Sequence, residues 1–356
     1  MLVSAIAPAF ADVGSDLNSY WAYTTPTING TLALGEWTDA NVVNFQLPMK
    51  DSTGTIHKTL NATLYVKNDY SNLYVAVQVF NDTYWAQDFS NRWKGLAVLF
   101  NYQDNGTLGH GENGEGITTW KSSPFYSKND LYYDSGSFFW DADVNIGKTN
   151  DGKMNFTHTH PSAGYLGNWT FEMSIPLVGS DLGYDFNIPK AQLPRTVGFK
   201  VWFLDNVNHW DGVYPDVPPF NPLDQTTNAK TYGDLIINPL YTLTITTTGS
   251  GITAPAPGQH QYGYGTSVSV TATPSLGWLF DHWELDTVNV GATNPYVVTM
   301  NQNHTLLAVF KTIPLPPPPP VGGFSLRPTA LPSLAYYGMS LAVLGAAVGI
   351  IRRKKR

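Results

Sequence analysis

One seven-residue segment, Asp205-Asn-Val-Asn-His-Trp-Asp211, combines four kinds of side chain that recognise polar ligands. Carboxylate, amide and imidazole groups exchange hydrogen bonds with hydroxyls, and an indole offers a flat apolar surface. A sugar ring presents both hydroxyls and apolar C–H faces, so this pattern is typical of carbohydrate recognition. The residues predicted to contact a ligand are Asp205, Asn208, His209, Trp210 and, from an earlier segment, Trp93. For the two tryptophans, the alternative is packing within loops or contact with another protein.

A second segment, Asp141-Ala-Asp143-Val-Asn145, begins like a calcium-binding loop. The sixth position of such a loop is Gly and the twelfth is Glu, whereas this chain has Ile146 and Gly152 there. Outward-facing polar residues of a strand explain the same spacing. No cofactor is predicted; the alternative is calcium, held by Asp104, Asp141 or Asp143.

The chain lacks the common catalytic patterns. It has no cysteine, no Walker loop, no His-Glu-x-x-His and no nucleophile elbow. The segment 109–114 has the glycine spacing of a dinucleotide loop, but no helix pattern follows it. His158 and His160 would share a strand face and supply half of a transition-metal site, without a third ligand. We therefore predict a protein that is not an enzyme. Carboxylate pairs that are distant in the chain remain a route to glycoside cleavage.

Strand patterns over residues 12–238 would position these side chains. The segments 73–80, 95–100 and 197–204 are apolar on both faces, as central strands covered on two sides are. No part of this region has a sustained helical period. The pattern predicts an all-β protein with a large antiparallel β-sandwich. Five tryptophans are predicted to lie in apolar cores: Trp37, Trp169, Trp202, Trp278 and Trp283.

Residues 240–311 have a different strand spacing and predict a small β-rich module. Tyr241, Leu243 and Ile245 alternate with threonines, as in a half-buried strand. The segment 277–283 supplies aromatic residues for a core. A proline-rich linker, 312–330, follows, and its polyproline run favours an extended left-handed helix.

The C-terminal residues predict a membrane anchor. The 21 residues 331–351 carry no charge, and a helix of that length, roughly 31 Å, crosses a bilayer core. The five cations at 352–356 would form a cytoplasmic tail. The apolar residues 1–11 end in a small-x-small pattern and are interpreted as the remnant of a signal peptide. We therefore expect a single-pass protein of the cell membrane, with its bulk outside the cell.

Charge and acceptor motifs agree with that location. The net charge is −7, and 5 of the 20 basic residues belong to the tail, so nucleic acid is not an expected partner. Asn-x-Thr motifs predict N-glycosylation on surface loops; chance in a chain rich in Asn and Thr is the alternative. The predicted acceptors are Asn29, Asn61, Asn81, Asn105, Asn155, Asn168 and Asn303.

The first region resembles the family 9 carbohydrate-binding modules. The resemblance is carried by Pro26-Thr-Ile-Asn-Gly30, Gly35-Glu-Trp37, Asn72-Leu-Tyr-Val-Ala-Val77, Trp169-Thr-Phe-Glu172 and Tyr232-Gly-Asp-Leu-Ile236. It implies a non-catalytic sandwich that in some members binds sugar ends between two tryptophans, to which Trp93 and Trp210 come nearest. Some relatives of this sandwich bind haem.

The second region resembles the divergent internalin-type B repeat of surface proteins. The matching segments are Gly249-Ser-Gly251, Gly265-Thr-Ser-Val268, Ala272-Thr-Pro274 and Gly277-Trp-Leu-Phe-Asp-His-Trp283. This resemblance implies a spacer or adhesive module without chemistry of its own.

Two hypotheses of different classes follow. In the first, the sandwich binds an extracellular glycan or a related cell-surface polymer, and the repeat module, the linker and the helix present it. In the second, the chain is a structural or adhesive surface protein without a small ligand. A surface hydrolase or a haem-carrying redox module ranks below both. The combination of anchor, basic tail and acceptor motifs is compatible with an archaeal surface protein.

Overall fold

The computed structural model describes residues 17–84, 94–101, 113–118, 129–134, 139–142, 149, 151–181, 185–217 and 231–314. Of the segments 113–118, 129–134 and 139–142 it describes the backbone. In this part of the chain, every regular element is a β-strand except one 3-10 turn, Lys190–Gln192.

The strands of the first region are β1 (Leu17–Asn18), β2 (Tyr20–Trp21), β3 (Asn41–Lys50), β4 (Ile56–Asn68), β5 (Asn72–Thr83), β6 (Lys94–Asn101), β7 (Asn113–Thr118), β8 (Asn129–Asp134), β9 (Phe139–Ala142), β10 (Lys153–His158), β11 (Leu166–Pro176), β12 (Arg195–Asp205), β13 (Trp210–Tyr214) and β14 (Gly233–Ile237). Those of the second are β15 (Tyr241–Thr248), β16 (Gly251–Ala254), β17 (Gly258–Tyr262), β18 (Ser267–Pro274), β19 (Trp278–Leu285), β20 (Val288–Gly291), β21 (Tyr296–Thr299) and β22 (His304–Thr312).

The first region is a β-sandwich built from one long strand path. The order is β10-β11-β5-β4-β3-β13-β12-β6-β7-β8-β9, with β14 beside β12. A single residue pair, Lys50 with Asp211, joins β3 to β13. On either side of this weak joint the two halves face each other, and Phe171 of one half contacts Phe203 of the other, with ring centroids 6.2 Å apart. The predicted all-β fold is confirmed.

The core lies between these two layers. Alternate residues of each central strand enter it, and the residues between them point to the outer side of the layer. From one layer come Leu64, Val77 and Phe171, and from the other Leu96 and Val201, all at most 2% exposed. Each such side chain contributes about 1.5–3 kcal/mol by leaving water.

A strap, residues 22–40, covers the outer side of β5 at one end. Trp37 packs there against Tyr74 and Ala76, which explains why β5 is apolar on both faces. The carboxylate of Glu172 holds the strap: Trp37 donates its indole N–H over 2.8 Å, and the N–H of Gly30 donates over 2.7 Å. The backbone N–H groups of Asn29 and Thr31 donate to the same carboxylate.

The second region forms a sheet ordered β17-β15-β22-β19-β20 and a three-stranded sheet, β16-β18-β21. The first strand of this module, β15, lies parallel to the last, β22, with Leu243 opposite His304 and Thr248 opposite Val309. Leu243, Ile245 and Trp283 lie in its core, with Leu243 and Ile245 alternating with threonines as predicted.

Three of the five tryptophans predicted to lie in cores, Trp37, Trp169 and Trp283, are buried. The other two predictions are only partly right. Trp202 and Trp278 are half-buried and pack against the rims of small apolar clusters, because each stands near a layer's outer surface.

The two regions contact each other at Gly263, which lies against Trp21 and Tyr23. The N–H of Gly263 donates to the Tyr23 hydroxyl over 2.8 Å. A Cβ atom at Gly263 would lie 2.5 Å from the Cβ of Trp21, so only glycine fits there. Beside this contact lies a cavity of about 180 Å³, lined by Tyr20, Trp21 and Tyr264 among others.

Among the described residues, we find no helix with the length and apolar character required to traverse a membrane. The predicted anchor, the tail, most of the linker and the signal-peptide remnant lie outside those residues.

Candidate functional site

Four strand ends converge at one end of the sandwich and bring two lysines and two aspartates together. Asp82, near the end of β5, accepts from Lys58 and from Lys94, each over 2.6 Å. Asp205, the last residue of β12, lies 3.0 Å from Lys94 Nζ and 3.7 Å from Lys58 Nζ. The indole N–H of Trp169 donates to Asp82 over 3.1 Å. We call Lys58, Asp82, Lys94 and Asp205 the ion cluster.

Burial makes the ion cluster rigid. The side chains of Asp82, Lys94 and Asp205 are 0% exposed, and only Lys58, at 29%, reaches solvent. Burial opposes ionisation of Asp82 most strongly, but the charges of Lys94 and Lys58 prevail and hold the pKa of Asp82 below its usual value. Charges buried in this way are costly to separate, so the cluster fixes the strand ends relative to each other.

The turn between β12 and β13 presents the exposed polar groups of the site. Asp205 accepts the backbone N–H of Asn208 over 3.3 Å and its amide Nδ2 over 3.0 Å. His209 has a φ of 57°, in the left-handed region, and closes the turn before Trp210. Asn208 and His209 are exposed. Asp205 is fully buried, so in this structure it positions Asn208 while Asn208 and His209 face solvent.

Trp210 lies beside this turn, half-buried, and packs against the core of the sandwich. The ring of His57 stacks on it, with centroids 4.5 Å apart and planes 5° from parallel. Lys58 Nζ lies 5.9 Å from the centre of the indole. Asp51 accepts from His57 Nε2 over 2.8 Å and also from the backbone of the β3–β4 turn. Bonds from the Thr53 hydroxyl and from His57 lower the pKa of Asp51.

Asp211 contacts the turn through a hydrogen bond to its first residue, Asp205. Its carboxylate accepts the N–H of Asp205 over 3.3 Å. Burial raises the pKa of Asp211 to about 6, since that hydrogen bond offsets the loss of water only in part. Perturbed carboxyl groups occur in functional sites and in structural networks alike. Asp211 pairs with Lys50 in the backbone register that joins the two layers, which is a structural position.

The structure gathers four of the five predicted ligand contacts, Asp205, Asn208, His209 and Trp210, within one turn. The fifth, Trp93, lies outside the described residues, and its chain neighbour Lys94 is the first residue of β6. Direct contact with a ligand stays a prediction for all five.

The predicted metal ligands stay predictions. Asp104 and Asp143 lie outside the described residues, and Asp141 is described by its backbone alone, paired with Tyr132. His158 is buried, and its ring nitrogens contact the backbone oxygens of Asp82 and His160. Within the described ranges, no three His, Asp or Glu side chains are placed to hold a metal ion.

Sequence reasoning missed Lys58, Asp82 and Lys94. The available signal was their position, since each is a charged residue within two residues of the end of a long strand. Charges there need partners, and strands of a sandwich end together.

The side chains of this site are suited to binding a polar ligand. Lys58, Asn208 and His209 supply hydrogen-bond donors, and Trp210 supplies an apolar edge. Asp82 and Asp205 are both engaged by lysines, which removes them as free general acids or bases.

The chain is similar to two different kinds of known protein.

Residues 241–314 match the family of divergent InlB B-repeat domains.

This match confirms the resemblance seen in the sequence of the second region. No curated protein matches the chain significantly.

Two solved structures are similar to the chain over 63% of its length. Both are a family 9 carbohydrate-binding module from Caldicellulosiruptor kristjanssonii, one in complex with cellotriose and one with glucose. The identities are 13% and 12%, the TM-score is 0.38 for each, and the match covers 94% and 96% of those chains. This is the family that the sequence of the first region resembles.

Proposed function

We propose that the β-sandwich binds a carbohydrate without catalysis, at the turn between β12 and β13. The observation that carries the proposal is the juxtaposition of exposed Asn208 and His209 with the half-buried indole of Trp210. An amide and an imidazole exchange hydrogen bonds with sugar hydroxyls, and the exposed part of an indole packs on the apolar C–H groups of a sugar ring.

Preorganisation supports this proposal. The ion cluster fixes Asn208 through Asp205, and His57 fixes Trp210 by stacking. A site whose side chains are already ordered loses less conformational entropy when a ligand binds, so weak polar contacts suffice for affinity.

We further propose that the chain is a protein of the cell surface, anchored by 331–351, with the repeat module as a spacer. The sequence supports this through the uncharged stretch and the five cations after it. The runner-up is a structural or adhesive protein without a small ligand, which the B-repeat match favours.

Binding of the full chain, solubilised in detergent, to a glycan array and to insoluble polysaccharides tests the first proposal. We expect saturable binding that Trp210→Ala and Asn208→Ala each weaken at least tenfold. Leu34→Ala, which shortens a fully exposed apolar side chain of the strap, is the control and leaves binding unchanged. Wild-type protein that binds no polymer, while folded, would support the structural alternative.

Protease treatment of intact cells tests the location. We expect the sandwich and the repeat module to be digested and the full-length chain to resist extraction with carbonate. Release of the whole chain by carbonate would contradict the anchor.

A further inference from the structure

Five of the six acceptor asparagines that the structure describes gather around one face of the sandwich. In β4, the residues Leu60, Ala62 and Leu64 enter the core, so Asn61 and Thr63 point to the opposite side. The same alternation turns the alternate residues of β10 and β11 outward, among them the acceptors Asn155 and Asn168, and Thr170. The sixth described acceptor, Asn303, belongs to the repeat module.

The two remaining acceptors adjoin this face through direct contacts. The N–H of Asn81 donates to the side-chain oxygen of Asn168 over 3.2 Å. The N–H of Asn29 donates to Glu172 over 2.9 Å, and Glu172 lies opposite Asn155 in the strand register. We call the outer side of β10, β11, β5, β4 and β3, with these two neighbours, the acceptor face.

Strand geometry places the complete motifs of Asn61, Asn155 and Asn168 on this face. The motif needs Asn and Thr two residues apart, and a strand repeats every two residues, so both members point the same way. The middle residue then enters the core: Ala62 is 2% exposed and Trp169 is 0% exposed. Thr63, Thr170 and Thr157 follow one another across the sheet in a single row, with Gln78 between the first two.

The other layer of the sandwich has a different outer side. Ala97 and Leu99, which point outward from β6, are buried in a cluster with Tyr232. Among the described residues of β6, β12, β13 and β14, no Asn-x-Thr motif occurs. All described acceptors of the sandwich therefore lie on or beside one layer, and the strap covers the outer side of this layer at one end.

We propose that the acceptor face carries N-linked oligosaccharides and that these cover the outer side of this sheet. The proposal rests on the exterior location proposed above and not on ligand binding by the sandwich. In each transfer, the Nδ2 atom of an asparagine forms a bond to the anomeric carbon of a lipid-phosphate-linked oligosaccharide. The bond from that carbon to the phosphate oxygen breaks, the lipid phosphate leaves, and the amide releases one proton.

A glycan cover has a structural role at the margin of the sheet. In the described strand order, β10 is the terminal strand on this side, so its outer backbone groups offer a template for pairing with another chain. Asn155 lies on β10, and an oligosaccharide there would block such pairing. The turn of Asn208 and His209 belongs to the other layer and stays open.

Expression of the full chain in a host that N-glycosylates secreted proteins, followed by glycopeptide mass spectrometry, tests the proposal. We expect glycans on Asn61, Asn155 and Asn168. Asn44 is the internal control, since it is exposed on the same face but has Gln46 in place of the threonine. Absence of glycans from all three strand acceptors would overturn the proposal.

Engineered motifs sharpen the test. Gln46→Thr completes an acceptor motif at Asn44, and we expect a gain of one glycan with retained folding. Thr63→Val is expected to lose only the glycan of Asn61, whereas Thr63→Ser keeps it. A Gln46→Thr protein that folds and gains no glycan would contradict an accessible acceptor face.

Enzymatic removal of the glycans from folded protein separates this proposal from the proposed function. Polysaccharide binding that survives removal leaves both in place. Glycans on the three strand acceptors without any polysaccharide binding would uphold the acceptor face and reject the binding site.

Discussion

The imidazole of His57 stacks on the indole of Trp210, with ring centroids 4.5 Å apart and planes 5° from parallel. Asp51 holds His57 from its far side. The contact joins the β3–β4 turn to the β12–β13 turn and fixes the orientation of the half-buried Trp210.

Replacing His57 tests whether this stack prepares the site. We expect His57→Ala to weaken carbohydrate binding about tenfold, because Trp210 loses its support, and to lower the free energy of unfolding by about 0.5–1.5 kcal/mol. Titration with the bound polysaccharide and urea unfolding measure the two effects. His57→Phe keeps a stacked ring and serves as the control. Equal loss in both variants would show that stacking is not the relevant contact.

Breaking the ion cluster should be costly. Lys94→Met leaves Asp82 and Asp205 with Lys58 alone, in a site that is otherwise closed to water. We expect a loss of about 3–5 kcal/mol in the free energy of unfolding, measured with urea. Lys153→Met, at an exposed position on β10, is the matched control and should change stability by less than about 0.5 kcal/mol. A Lys94→Met protein as stable as this control would contradict a coupled cluster.

The carboxyl group of Asp211 gives stability a pH dependence. Its pKa is raised to about 6 in the folded protein, so between the unfolded value of 3.8 and about 6 the folded state binds more protons. The free energy of unfolding therefore falls as pH rises through this window, by up to roughly 3 kcal/mol from this group.

Asp211→Asn should remove that part of the dependence. We expect the variant to gain stability relative to wild type on going from pH 4 to pH 7, as followed by thermal unfolding at each pH. Asp185, whose pKa burial also raises to about 6, is present in both proteins and cancels in the comparison. A difference between the two proteins that is constant with pH would refute the assignment.

Glu172 is expected to hold the strap as a carboxylate. Its two oxygens accept from Trp37 and from three consecutive backbone N–H groups. Glu172→Gln replaces one oxygen with an amide that cannot accept, and we expect a loss of about 1–3 kcal/mol. Faster proteolysis within 22–40 would locate the damage. Burial raises the pKa of Glu172, so protonation in acid should loosen the strap in the same way.

The junction between the two regions requires glycine at position 263, because no space is left there for a side chain. Gly263→Val would place a branched Cβ against Trp21, where even a single carbon comes within 2.5 Å, and should separate the two regions. Small-angle scattering would report a larger radius of gyration. Tyr23→Phe removes only the hydroxyl that accepts from Gly263 and should cost about 1 kcal/mol without separation. Unchanged scattering in the valine variant would contradict this view of the junction.

The sequence predicted the strands well because burial imposes a period of two. Leu243 and Ile245 alternate with threonines and lie in the core as expected, and Val75 and Val77 fill a strand that is covered on both sides. Local pattern decides such features, so they are visible without knowledge of the fold.

The ion cluster was not predictable in the same way. Lys58, Asp82, Lys94 and Asp205 are joined only when four strand ends meet, and the pairing depends on the sheet order. Asp205 illustrates the difference: its neighbours in sequence suggested an exposed ligand contact, whereas Lys94 and Asn208 enclose it.

The parallel pairing of β15 with β22 has a mechanical consequence. Tension between residue 241, where the repeat module begins, and residue 312, where β22 ends, pulls the two strands in opposite directions along their lengths. The hydrogen bonds between them then bear the load together rather than opening one after another like a zipper. A tether built in this way resists shear, and the module would stay folded while it transmits a pull from one end to the other.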